Sequence, residues 1–106
     1  MEMNVALKNV RDIIVTRIDP DQIILFGSYA RGDYREDSDI DILVLKKGIR
    51  DERKLASSVY KAFYKKIHKP VDVIVMDYDK YQKLSDTVGF IYKIIKKEGE
   101  VIYERV

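Results

Sequence analysis

The sequence contains no cysteine and a single histidine. Without cysteine there is no disulfide framework, no thiolate metal site and no cysteine nucleophile, so any metal must be held by oxygen ligands, and the composition is consistent with a reducing compartment. No run approaches the roughly 18 apolar residues of a membrane span, and the N-terminal stretch lacks the charged start, apolar centre and small-residue cleavage site of a secretory leader. A cytoplasmic protein without a membrane partner is the expectation. A net charge of +2 gives no strong global field, so nucleic acid is not expected as a direct partner.

What is present is enough apolar residue for one core: 46% hydrophobic and 36% charged over 106 residues, read as a single domain spanning residues 1–106. Charge is uneven. Asp33, Glu36, Asp37, Asp39 and Asp41 face only Arg35 within their stretch, whereas Lys61, Lys65, Lys66 and Lys69 cluster with no acid among them. An acidic pocket and a basic, solvated helix face are implied.

Ala6, Val10, Ile13, Ile14 and Arg17 recur at helical spacing, predicting a helix from about Asn4 to Ile18, stopped before Pro20. Ile23–Phe26 reads as a buried strand that ends at Gly27-Ser28, and Tyr29–Ser38 as one helical turn followed by a loop. Strands are expected over Asp39–Leu45 and Val71–Met76, with a helix over Glu52–Ile67 between them, closed by His68-Lys69-Pro70. Helical patterns resume at Asp79–Leu84 and at Thr87–Lys97, where Val88, Ile91 and Ile95 share a face and Gly99 is the expected C-terminal cap; Val101–Tyr103 is a candidate edge strand. The fold class is α/β (α+β), a small mixed sheet covered by helices.

Alternate residues of a strand share a face, so Asp39 and Asp41 point one way while Ile40, Ile42 and Val44 point the other. Two carboxylates on an otherwise apolar strand repel and desolvate unless a cation sits between them. Asp72 repeats the device as the lone charge of the Val71–Met76 strand, on the face of Ile74 and Met76. Oxygen ligands alone favour magnesium or manganese, ions that commonly complete their shells with water and substrate phosphates, which makes a triphosphate the expected substrate. Gly27 permits a sharp turn after a buried strand, and the following N–H groups with the Ser28 hydroxyl can face an anion.

Gly27-Ser28, ten further residues, Asp39-Ile40-Asp41 and a strand-borne Asp72 resemble the signature of the polymerase-beta-like nucleotidyltransferase superfamily. Gly27-Ser28-Tyr29-Ala30-Arg31-Gly32 and Ser38-Asp39-Ile40-Asp41 resemble its minimal bacterial and archaeal branch, the minimal nucleotidyltransferases of HEPN/MNT toxin–antitoxin pairs. The resemblance implies a nucleotidyltransferase-like fold and two magnesium ions, with manganese an alternative, held by Asp39, Asp41 and Asp72 as catalytic residues. It further implies that Ser28 grips the terminal phosphates, that Asp72 helps the acceptor hydroxyl lose its proton, and that ATP is the favoured triphosphate. Larger members carry acceptor-binding domains; here a HEPN-type toxin is the implied partner in a hetero-oligomer, adenylylated by an antitoxin. The competing class is a non-catalytic antitoxin that neutralises its toxin by docking.

Single residues also carry plainer readings. Arg31 is balanced between a nucleotide contact and a structural donor in a tight turn. Ser38 reads as a loop cap, Asp33 and Asp37 as solvated loop acids, and His68 as a helix-end residue without a catalytic part. Eight tyrosines exceed what a small core needs and suit an interface.

Overall fold

Asn4 opens the first helix, α1 (Val5–Ile18), by accepting the Leu7 N–H on its side-chain oxygen at 2.8 Å, the interaction that makes asparagine a strong N-cap. The computed structural model describes residues 3–87 and 90–106. Leu7, Val10, Ile14 and Ile18 form the buried stripe of α1. The helix is therefore turned from the face expected from Ala6, Ile13 and Arg17: the first two flank the core, and Arg17 is exposed, donating to the Ser58 hydroxyl at 2.8 Å. Asp19 in the left-handed region (φ 48°) and Pro20 end the helix.

The remaining elements are β1 (Gln22–Phe26), a single helical turn α2 (Ser28–Arg31), β2 (Ile40–Lys46), α3 (Glu52–Phe63), β3 (Val71–Asp77), α4 (Tyr78–Thr87), α5 (Phe90–Glu98) and β4 (Glu100–Glu104). The sheet runs β3-β2-β1-β4, with β1 antiparallel to both neighbours and β2 parallel to β3 through the α3 crossover, the mixed sheet expected. Both faces are covered. Ile23, Leu25, Ile40, Ile42 and Val44 pack under α1 and α3, while Ile24, Phe26, Leu43, Leu45 and Met76 pack against Tyr81 of α4 and Ile95 of α5. This two-sided burial explains why β1 reads as a continuous apolar run rather than an alternating one.

Several boundaries and roles differ from the sequence reading. β2 begins at Ile40, so Asp39 is the last loop residue. α3 stops at Phe63 instead of Ile67, because the chain turns there: Lys65 has φ 62°, and the N–H groups of Lys66 and Ile67 both reach the Phe63 carbonyl at 2.9 Å. Only Lys61 of the lysine cluster thus lies on the helix, and the single basic helix face is not formed. Gly99 follows α5 at the expected place, its N–H reaching the Ile95 carbonyl at 2.7 Å, but glycine is required there by crowding, since a Cβ would meet the Ile95 carbonyl oxygen at 2.4 Å and Ile24 Cγ2 at 2.6 Å. The expected face of Val88, Ile91 and Ile95 is in part outside the described residues, as Val88 is; Ile95 is buried and Ile91 exposed. Among the described residues no helix is long and apolar enough to cross a membrane.

Candidate active site

The parallel pairing of β2 and β3 sets Asp41 directly beside Asp72, and the antiparallel pairing of β1 sets Phe26 beside Asp41. Alternation then sends Asp41 to the face of Leu43 and Leu45, and Asp72 to that of Ile74 and Met76. Both lie at the end of the sheet where β1 gives way to the turn. Gly27 makes that turn with φ 73°, a conformation that costs a residue with a side chain. It also leaves room: a Cβ on Gly27 would meet Asp41 Oδ2 at 2.1 Å. Glycine is needed here twice over, for its torsion and for the carboxylate packed against it.

Gly27, Ser28, Arg31, Asp37, Ser38, Asp39 and Asp41 line an open concavity of about 540 Å³. Asp72 is not among its lining residues, although it is the register partner of Asp41. A larger groove, about 670 Å³ between α1 and α3, lies on the opposite helix layer and touches none of the expected site residues. Burial, then repulsion from Asp72 and from Asp39, pushes the Asp41 carboxyl above its ordinary value, with Arg31 opposing. Among the described residues these three carboxylates accept no hydrogen bond and form no ion pair. They are negative oxygen donors offset only by the more distant Arg31, chemistry that fits a hard divalent cation. Among the described residues no group of three Asp, Glu or His side chains is placed to hold a metal ion, so the expected convergence of Asp39, Asp41 and Asp72 is not formed by the chain alone; the paired Asp41 and Asp72 offer a partial ligand set that bound phosphate oxygens could complete.

Arg31 faces the concavity while bound to Asp33 at 3.2 Å and to Glu98 of α5 at 3.5 Å, and both contacts raise its already high pKa. Asp33 is thus ion-paired rather than only solvated. Ser38 is the loop cap expected: its hydroxyl accepts the Arg35 N–H at 2.8 Å and its own N–H reaches the Arg35 carbonyl at 3.0 Å. His68 is exposed.

Two features escape sequence reasoning. Glu98 stands 67 residues from Arg31, with no local signal joining them. Lys69, assigned to a solvated helix face, instead donates to the Tyr29 hydroxyl at 2.9 Å and to the Glu36 carbonyl at 3.1 Å. The Tyr29 bond is the main reason its ammonium is held above the usual lysine value.

The family described as "Polymerase beta, Nucleotidyltransferase" matches residues 8–106, and the chain belongs to that family. It is similar to a Methanocaldococcus jannaschii protein named "Putative protein adenylyltransferase", 52% identical over 40 residues, 38% of this chain and 38% of that protein. The match therefore spans well under half of that relative. Among solved structures, a "putative nucleotidyltransferase" of Sulfolobus solfataricus superposes with TM-score 0.64 at 28% identity, covering 94% of this chain and 78% of that one. A toxin–antitoxin structure with AMP-PNP shares the fold with TM-score 0.62 at 21% identity, covering 92% and 73%.

Proposed function

We propose that this member of the polymerase beta nucleotidyltransferase family transfers a nucleoside monophosphate, AMP from ATP, to a hydroxyl of a HEPN-type toxin, acting as an antitoxin by protein adenylylation in the cytoplasm. The observation that carries the reading is the register pairing of Asp41 with Asp72 beside the Gly27-Ser28 turn, which sets carboxylates without a hydrogen-bond donor against the bend at Gly27. Asp39, Asp41 and Asp72 would hold two magnesium ions, or manganese. Such ions, when bound, lower the pKa of an attacking hydroxyl and neutralise charge on a leaving pyrophosphate.

The chain's own residues supply the rest. Ser28, with the N–H groups of Ser28 and Tyr29 that precede the bonds of Ala30 and Arg31 to the Gly27 carbonyl, would face the terminal phosphates. Arg31 exchanges its Asp33 and Glu98 carboxylates for phosphate oxygens at the same concavity. Asp72 is exposed and accepts the proton of the acceptor hydroxyl. The acceptor oxygen bonds to the α-phosphorus as the bond to the bridging oxygen breaks and pyrophosphate departs. Similarity to a protein adenylyltransferase and to a toxin–antitoxin structure with AMP-PNP supports a protein acceptor and an adenine nucleotide.

The test mixes the purified protein with its HEPN-type partner, magnesium and ATP. The partner's mass should rise by whole units of AMP, carried on a tyrosine or serine hydroxyl. No addition, together with equal inhibition of the partner by wild type and Asp72→Asn, would replace transfer by docking alone.

A further inference from the structure

The loop between α2 and β2 carries Ser38 and Asp39, yet Gly32 through Asp37 are all exposed, so little hydrophobic burial holds it in place. Three contacts tie it down. Asp33 meets Arg31, Tyr34 stacks on Tyr29 with centroids 4.2 Å apart and planes 7° from parallel, and the Glu36 carbonyl accepts from Lys69. Only the last reaches beyond α2 and the loop itself. Its second acceptor, the Tyr29 hydroxyl, belongs to a residue only 3% exposed and packed into the core beneath α1 and α3.

The ammonium therefore joins three segments, each within three residues of a site residue. Tyr29 follows Ser28, Glu36 lies three residues before Asp39, and Lys69 three residues before Asp72. The Pro70 carbonyl completes the join by accepting the Ile40 N–H at 3.0 Å. A lysine suits this place because one cation with several donors can serve a hydroxyl and a carbonyl together. It also brings positive charge to a loop rich in acids. A long side chain held at both acceptors loses rotamer freedom, which sets it apart from a solvated lysine.

We infer that Lys69 is a positioning residue that clasps α2, the α2–β2 loop and the start of β3 together, so that Ser28, Asp39 and Asp72 are aligned before nucleotide binds. The inference rests on the transferase reading for its consequence and on the observed contacts for its geometry.

Lys69→Met keeps the stem and removes the donors. Magnesium-ATP affinity, measured by calorimetry, should fall about 10-fold to 100-fold, the range found when residues bracing metal ligands are lost. Amide exchange at Arg35 and Ser38, followed by NMR without nucleotide, should accelerate while amides of β1 and β2 keep their rates. Lys69→Arg, which keeps a donor, should recover most of the affinity. Tyr29→Phe should lose part of it, and the double variant should be no worse than Lys69→Met, because both changes break one clasp. Unchanged affinity and loop exchange in Lys69→Met would overturn the inference. So would uniform acceleration across the sheet, the mark of simple destabilisation. If wild type bound no magnesium-ATP, the transferase reading would fall, and loop exchange in the nucleotide-free protein would still decide the clasp. Should Lys69→Met not fold, Tyr29→Phe carries the same comparison by removing one oxygen.

Discussion

The two ends of the β2–β3 pair treat the same residue type in opposite ways. At one end Asp41 lies beside Asp72 with no donor, and burial and neighbouring carboxylates raise its pKa. At the other end Asp77 lies beside Lys46, its Oδ1 accepting the Gly48 and Ile49 N–H groups at 3.0 and 3.3 Å and its Oδ2 accepting the Lys80 N–H at 3.1 Å. Those bonds, that from Lys80 foremost, hold its carboxyl below the ordinary value. Asp77 fastens the loop after β2 to the start of α4, as capping residues do. One end is stabilised by its carboxylate. The other is strained by its carboxylates, the pattern expected where folding stability is given up for function.

The comparison breaks most sharply if Asp41→Asn or Asp72→Asn leaves transfer intact. Each should cut the rate at least about 10²-fold to 10³-fold, the scale of losing one preorganised electrostatic partner. Neither should lower the melting temperature of the metal-free protein, because each removes repulsion. Radiolabel transfer and a thermal melt on one preparation check both halves; a melt that collapses with activity would make the carboxylates structural.

Gly27→Ala sharpens the contrast without altering charge. A Cβ must displace the Asp41 carboxylate and hold φ 73° with ψ −155°, a region essentially reserved for glycine that costs other residues roughly 1–3 kcal/mol. The variant should fold with a modest fall in melting temperature and lose magnesium-ATP binding almost as fully as Asp41→Asn. Calorimetry that found normal binding would show that the close approach is incidental.

The site end of the sheet was legible because its signals are local. Asp39 and Asp41 alternate with apolar residues, Asp72 is the lone charge in its strand, and Gly27 ends an apolar run. The structure pairs Asp41 with Asp72 and sets five of the six expected residues around one concavity, the sixth, Asp72, joining through pairing instead of lining. What stayed hidden depends on distance in sequence. Lys69 looks like any lysine after a helix until α3 is seen to stop at Phe63, and the Arg31–Glu98 contact needs the packing of α5. Asp77 lies just past the expected strand and carries no local signal, since its acceptor role emerges only when the loop at Gly48 and the first turn of α4 meet there.

Asp77→Ala tests the stabilised end. It frees the Gly48, Ile49 and Lys80 N–H groups to water and uncaps α4, so the melting temperature should drop by a few degrees while magnesium-ATP affinity per folded molecule is unchanged. Loss of affinity at constant stability would mean that the far end of the strands communicates with the site.

The smallest effect is the most specific, because it depends on sign. Asp77 has a folded pKa below its ordinary 3.8, so its stabilising contribution is complete above that value and disappears as pH falls through the lower folded value. Asp41 has a folded pKa above 3.8: the folded protein binds this proton more tightly than the unfolded chain does. Ionising Asp41 therefore costs stability, and the metal-free protein recovers it as pH falls through the raised value toward 3.8. Urea denaturation of metal-free protein between neutral pH and about pH 3 should show the two carboxylates acting in opposite directions. Asp41→Asn should gain most over wild type at neutral pH, with the gain shrinking on acidification. Asp77→Ala should lose most at neutral pH, with the deficit shrinking only below the ordinary carboxylate range. Magnesium with ATP should erase the first difference and leave the second, since a bound cation would supply Asp41 with the partner that Asp77 already has. Parallel pH curves for the two variants would end the idea that the ends of these strands are held in opposite electrostatic states.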